Sequence, residues 1–214
     1  MKIGIVADIH CNTQALEAAL SGMGDVDEVF CAGDAVNGFR WSNDVVDLLR
    51  TRGTHMVLGN HDRDFLQVRE ERNGANGFIT PENFAFITRA PITYEIELAG
   101  RRILMLHGSP FDYNFDYIFP HSDKFKRLGE LDTDLFIYGH THFSVVQQVG
   151  GVLVVNPGST GQPRDPARPK GTYATVDLDT LEVTIHDVDV PDLRASVQHN
   201  NETPSAGGNG IWRP

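Results

Sequence analysis

Five short segments of the chain consist of residue types that bind cations. They are Asp8-Ile9-His10, Gly33-Asp34, Gly59-Asn60-His61-Asp62, His107-Gly108 and Gly139-His140-Thr141-His142. Asp8 and His10 stand two apart on an extended segment, so both project to one side, and the same holds for His140 and His142. Together with Asp34, Asn60 and His107 they offer seven oxygen or nitrogen ligands. One small cation takes about four to six such ligands, so seven point to two ions sharing a bridging group. A carboxylate is the natural bridge, because each of its oxygens can bind one ion. Two divalent ions, less the charges of Asp8, Asp34 and one hydroxide, leave a local charge of about +1. Water on such ions ionises near neutral pH instead of near 15.7, which supplies a nucleophile for in-line attack on phosphorus. Mixed nitrogen and oxygen donors suit Mn, Fe, Ni or Zn better than Mg or Ca.

Each segment follows an apolar run that reads as a strand, and the carboxyl ends of parallel strands form the crevice where α/β folds bind ligands. Strands are expected at Ile3–Ala7, Glu28–Cys31 and His55–Leu58, separated by a helix capped by Asn12 and a second helix ending near Gly53. This β-α-β-α-β order implies parallel pairing. Further along, Thr93–Leu98 and Arg102–Leu106 flank Ala99-Gly100 as a hairpin. Five further runs, Leu135–Tyr138, Val145–Val149, Val152–Val155, Tyr173–Leu178 and Val183–Val188, read as strands. Helices are expected near Pro81–Thr88 and Asp123–Leu131. The class is α/β with much mixed sheet. Residues 1–195 read as a single domain and 196–214, rich in Asn, Gly and Pro, as a loosely held tail.

Composition narrows the function. The chain has 214 residues, 40% hydrophobic and 22% charged, which fits a folded globular protein with a core of its own. A net charge of −11 argues against an extended nucleic-acid surface, though a metal-lined pocket can still hold an anion. Two cysteines, Cys11 and Cys31, are too few for a disulfide framework and fit a cytoplasmic setting. No apolar run approaches the roughly 20 residues that span a bilayer, so no membrane partner is expected. A homo-oligomer is compatible with all of this. His55, His121, His186 and His199 lie outside the ligand pattern.

The ordered set Asp-x-His, Gly-Asp, Gly-Asn-His-Asp, His, Gly-His-Thr-His resembles the calcineurin-like metallophosphoesterases, above all their small single-domain bacterial and archaeal phosphodiesterase branch. The likeness covers residues 1 to about 180 and extends to His107-Gly108-Ser109-Pro110, Asn156-Pro157-Gly158-Ser159 and Gly161-Gln162-Pro163-Arg164-Asp165. It implies a four-layer sandwich, two mixed β-sheets flanked by helices. It implies that Asp8, His10 and His142 hold one ion, that Asn60, His107 and His140 hold the other, and that Asp34 bridges them. His61 would then face the leaving-group oxygen as acid or charge stabiliser, with Asp62 orienting it. The implied activity is hydrolysis of a small phosphoester, foremost a phosphodiester, with cyclic nucleotides as one option. The same centre could serve a phosphomonoesterase or a dinucleoside polyphosphate hydrolase. A retromer subunit uses the fold as a scaffold without catalysis, but His61, which a scaffold could lose, is kept here.

One departure from the family concerns Cys11, which stands where that branch usually has Gly. A thiol there would crowd the phosphate, add a soft ligand or pack inward. Arg164 in its Gly/Pro-rich loop, and Asn37 with Gly38 and Arg40 after the bridging Asp34, are candidates to contact substrate. The alternating aromatics Phe111, Tyr113, Phe115, Tyr117 and Phe119 read either as core or as a stacking wall for a base or aryl ester.

Overall fold

β1 (Lys2–Val6) is buried over its last four residues, as expected of a central strand covered on both faces. Ile3 and Ile5 join a core between two sheets, whereas Val6 joins a second core beneath helices. The elements after β1 are α1 (Thr13–Met23), β2 (Glu28–Cys31), α2 (Asn43–Thr51), β3 (His55–Met56), α3 (Asn60–Glu71), α4 (Pro81–Arg89), β4 (Thr93–Leu98) and β5 (Arg101–Leu106). They continue with α5 (Asp123–Lys126), a 3-10 turn (Arg127–Glu130), β6 (Leu135–Ile137), β7 (Ser144–Val149), β8 (Val152–Pro157), β9 (Gly171–Asp177) and β10 (Glu182–Val188). The computed structural model describes residues 1–38, 41–71, 79–111 and 116–189, the side chains of 69–71 excepted. Arg40, Tyr113, Phe115 and the segment 196–214 lie outside the described residues.

The strands form two five-stranded sheets, ordered β10-β9-β1-β2-β3 and β4-β5-β6-β8-β7. β1, β2 and β3 are mutually parallel, and so are β5, β6 and β8. The outer strands run antiparallel, which makes both sheets mixed. Ile3, Ile5, Phe30 and Val176 from one sheet meet Ile103, Met105, Ile137 and Val155 from the other in the central core. Leu16, Ala19, Val45 and Leu49 of α1 and α2 cover the first sheet, and Phe125 and Leu128 cover the second. The result is the expected four-layer sandwich. Among the described residues no helix is long and apolar enough to cross a membrane.

Local chemistry explains the helix starts. The Asn12 side chain accepts the Ala15 N–H at 3.1 Å, the Ser42 hydroxyl accepts the Val45 N–H, and Thr80 caps α4 with Pro81 at its first position. Two elements differ from the sequence expectation. β3 is shorter, because Leu58 turns away and donates its N–H to Pro91 at 2.8 Å instead of extending the sheet. α3 was not expected at all, since Asn60–Glu71 is mostly charged or polar. Phe65 anchors it against Val36, Val46, Ile79 and Ile87.

Candidate metal centre

All five ligand-type segments leave the carboxyl ends of parallel strands. Asp8 and His10 follow β1, Asp34 follows β2, Asn60 follows β3, His107 follows β5, and His140 and His142 follow β6. Backbone bonds continue the ladder beyond the strands: Asp8 N–H donates to Gly33, His10 N–H to Asp34 and Cys11 N–H to Ala35, each at 3.0 Å. The loops are therefore held side by side. The Asp8, His10, Cys11, Asp34, His140 and His142 backbones all have positive φ, between 49° and 68°. Left-handed backbone costs an L-residue about 1–2 kcal/mol, so five candidate ligands and a neighbour are held in strain by their surroundings.

Cys11 allows a clean test of that strain, at φ 65°. Cys11→Gly and Cys11→Ala both remove the sulfur and differ only in backbone freedom. The glycine variant should be the more stable by about 1 kcal/mol, a melting-temperature gap of roughly 2–4 °C on a thermal scan. Equal stability would contradict the strain. Cys11 itself packs partly buried beside the α3–α4 core, and neither it nor Cys31 is in a disulfide.

The ligand atoms converge in two sets. One atom each from Asp8, His10 and His142 lies within 4.8 Å of the others, and the same is true of Asp34, His107 and His140. Asp34 Oδ2 stands between the sets, 3.9 Å from His10 Nε2 and 3.2 Å from His107 Nε2. Asp8 Oδ1 lies 3.3 Å from His142 Nε2. A His61 nitrogen also lies within 4.8 Å of His10 and Asp34 atoms, so Asp34 belongs to two overlapping groups. Asn60 opens α3, and its buried Oδ1 has no hydrogen-bond partner. The same holds for Asp8 Oδ1 and His140 Nε2. Buried acceptors and ring nitrogens left unmatched in this way are what a cation would satisfy.

The second ring nitrogens fix the orientation. His107 Nδ1–H donates to the Ala32 carbonyl at 2.7 Å and His142 Nδ1–H to the Gln162 carbonyl at 2.5 Å, which turns both Nε2 atoms inward. Burial holds His10 down at about 3 and His140 and His142 at about 4, so these imidazoles are neutral and fit to ligate. Burial also lowers His107, but the charge of Asp34 outweighs it and holds the ring up at about 10. Burial would raise Asp34, and the His107 charge keeps it well below the usual carboxylate range. Asp8, buried and near Asp34, is pushed up to about 8 against the pull of His107. With no cation, a protonated His107 is the counter-charge. A cation entering beside Asp34 would displace that proton.

Around the ligands the packing leaves no slack. A Cβ placed on Gly59 would run into the Asp34 carboxylate, so only glycine lets the third loop pass the bridging group. Asn156 Nδ2–H donates to the Gly139 carbonyl at 2.8 Å and to the Thr141 hydroxyl, and the Ser159 hydroxyl donates to the Asp8 carbonyl at 2.7 Å. These two residues hold the loops that carry His140, His142 and Asp8. Sequence reasoning gave them no role, although the Asn-Pro-Gly-Ser turn was visible.

His61 stands at the mouth, half-buried, its ring edge-on to His10 at 5.0 Å and its N–H donating to Asp34 Oδ1 at 2.9 Å. Asp62 does not orient it among the described hydrogen bonds. Its fully buried carboxylate accepts the N–H groups of Asp34 (2.8 Å), Gly59 (2.9 Å) and Val36 (3.0 Å) instead. Asp62 is thus a clamp on the loops after β2 and β3, a positioning residue for Asp34. Asp62→Ala would leave three buried donors unmatched, at about 1–3 kcal/mol each. A loss of at least about 3 kcal/mol is expected in urea unfolding, and a loss under about 1 kcal/mol would refute the clamp.

Of the substrate candidates, Arg164 is exposed, and its charge is felt by both Asp8 and His142, which places it beside the first set. The Asn37 side chain accepts the Gly38 N–H, and its described contacts do not join it to a ligand residue. Tyr117 stacks on His140, with ring centroids 4.0 Å apart.

A model of the calcineurin-like phosphoesterase superfamily domain matches residues 1–181. The chain is 29% identical over 213 residues to an uncharacterised protein of Methanocaldococcus jannaschii, covering 86% of this chain and 85% of that one. It is 26% identical over 164 residues to a phosphodiesterase of the same organism, covering 74% and 83%. Among solved structures, a metallophosphoesterase from Sphaerobacter thermophilus superposes with a TM-score of 0.73 at 27% identity, over 93% of this chain and 94% of that one.

Proposed function

The chain belongs to the calcineurin-like phosphoesterase superfamily and is a hydrolase of phosphoric esters, and from that premise we propose that it cleaves small phosphodiesters with the help of two divalent transition-metal ions. The observation that carries the two-ion reading is the pair of ligand sets meeting at Asp34. Asp8, His10 and His142 would hold one ion, and Asn60, His107 and His140 the other. Mn, Fe, Ni and Zn suit these donors. When bound, the ions supply the positive charge and the activated water of the reaction. The preference for a diester is supported by the name of one relative, a phosphodiesterase.

The chain's own groups do the rest. Asp34 keeps the two ligand sets in register, and Asp62 fixes Asp34 through its backbone N–H. His61, which lies beside Asp34 and His10, would donate a proton to a leaving oxygen or stabilise phosphoryl charge. Arg164 would contact the phosphate beside Asp8 and His142.

The test is turnover of bis(p-nitrophenyl) phosphate and p-nitrophenyl phosphate by metal-stripped protein reloaded with each of these ions. Two bound ions per chain and metal-dependent diester cleavage exceeding monoester cleavage are expected. A monoester preference would overturn the diester reading. Binding of a single ion at saturation would overturn the two-ion reading.

A further inference from the structure

Outside the ligand sets, the described residue with the most unusual setting is Tyr117. It is 49% exposed, the only aromatic among the exposed large hydrophobic side chains described. Yet its ring is pinned nearly parallel, within 17°, to the ring of His140. The segment from residue 116 onward alternates. Ile118 turns inward, 1% exposed, and its carbonyl accepts the Tyr138 hydroxyl at 3.2 Å, which locks the segment to the second sheet. Tyr117, Phe119 and His121 are thereby left on the opposite side. Their rings continue the series at 9° and 13° to one another, with centroids 6.2 and 5.7 Å apart. Phe143, next to the candidate ligand His142, braces Phe119 edge-on at 5.7 Å. These spacings are those of offset stacks, so the rings form an aromatic staircase that starts on a candidate metal ligand and leads outward.

A core aromatic would be covered, and a mere prop for His140 would not need Phe119 and His121 lined up behind it. Resting on the phosphodiesterase reading above, we infer that Tyr117, backed by Phe119, is a subsite for a flat aromatic group carried by the substrate. That group would pack on the solvent-exposed part of the Tyr117 ring, the remainder being covered by His140 and Phe119, while the centre at Asp34 holds the phosphate. The ligand class is therefore a phosphoester bearing an aryl ring or a nucleobase, as opposed to one with only aliphatic groups. An aromatic face reads any flat ring and is tolerant of its substituents, so the subsite would set the class of substrate rather than one compound.

Binding of phosphonates to the Mn-loaded protein tests this without turnover, because a carbon–phosphorus bond is not hydrolysed. Phenylphosphonate is compared with methylphosphonate, and the methylenephosphonate analogue of adenosine 5′-monophosphate with that of ribose 5-phosphate, by calorimetry. The aromatic member of a pair should bind roughly 5- to 150-fold more tightly, the range open to one stacked ring. Tyr117→Leu should remove most of that ratio and Tyr117→Phe should keep it. Phe119→Ala should reduce it independently, which covers a Leu variant that fails to fold. A preference in the adenosine pair alone would identify the group as a nucleobase, and a preference in both pairs would show that any flat ring suffices. If Tyr117 only supports His140, Tyr117→Leu weakens all four ligands alike, the ratio stands, and the inference fails. It also fails if methylphosphonate binds well and the aromatic members bind no better. If no phosphonate binds and no diester is cleaved, the phosphodiesterase reading falls with it.

Discussion

Asp34→Ala should lower bound metal from two ions per chain to one or none, and diester turnover should fall below detection with it. Asp34 reaches both ligand sets, with Oδ2 3.2 Å from His107 Nε2 and 3.9 Å from His10 Nε2, and it comes closer to His107 than Asp8 does at 4.0 Å. Its other oxygen accepts the His61 N–H at 2.9 Å, so its loss also frees the start of α3. Removing a group that merely orients a ligand weakens metal binding by roughly 10–100-fold. Removing a shared ligand must do more, since it weakens two sites and leaves His107 without its counter-charge. Breaking a buried ion pair costs about 3–5 kcal/mol, so the metal-free variant should be less stable as well. Asp34→Asn separates the effects. It keeps the shape and one acceptor oxygen for the His61 N–H, but it cannot bridge two cations as a carboxylate does. It should fold, bind fewer ions by elemental analysis and turn over at least about 10³-fold more slowly. Full metal content with undiminished turnover in Asp34→Asn would remove Asp34 from the centre.

The family was legible, and candidate ligand residues could be named, because ligand chemistry is a matter of residue type. Asp8, His10, Asp34, Asn60, His107, His140 and His142 could be picked out because each sits just past an apolar run. The sandwich was legible too, since the strands have clear apolar runs and turn signals. What the sequence hid was longer in range. The role of Asp62 depends on N–H groups 26 and 28 residues away in another loop, and nothing local to Asn60-His61-Asp62 announces them. The positive φ values of Asp8, His10 and Asp34 are uncommon even for Asp and His, which adopt them more readily than other side chains, and they are held by ladder bonds between adjacent loops. α3 escaped notice because its apolar face rests on Phe65, whose partners Ile79 and Ile87 lie beyond the helix. The aromatic run was visible, but what ties it to the centre among the described residues is the Tyr117–His140 stack, with Phe119 on Phe143 beside it.

His61→Ala should leave both ions in place and slow the reaction by about 10²–10⁴-fold, the range of a positioned acid or base. The metal count matters here, because the geometry admits a rival role. A His61 nitrogen, a His10 nitrogen and an Asp34 oxygen also lie within 4.8 Å of one another. If His61 were a ligand, its removal would cost an ion along with activity. Two observations favour the other role. His61 is half-buried at the mouth, whereas His10, His107, His140 and His142 are buried. Those four with Asp8, Asp34 and Asn60 already supply a full donor set for two ions. The leaving group then decides how His61 acts. p-Nitrophenolate departs without a proton, so a general acid contributes little to its release. An alkoxide leaving group needs that proton. If His61 is the acid, the alanine variant should lose far more activity on an alkyl-leaving diester than on the nitrophenyl one. If His61 stabilises charge on the phosphoryl oxygens, both substrates should lose equally, because that charge develops whichever group leaves. Retained turnover on both substrates with full metal content would remove His61 from the reaction altogether.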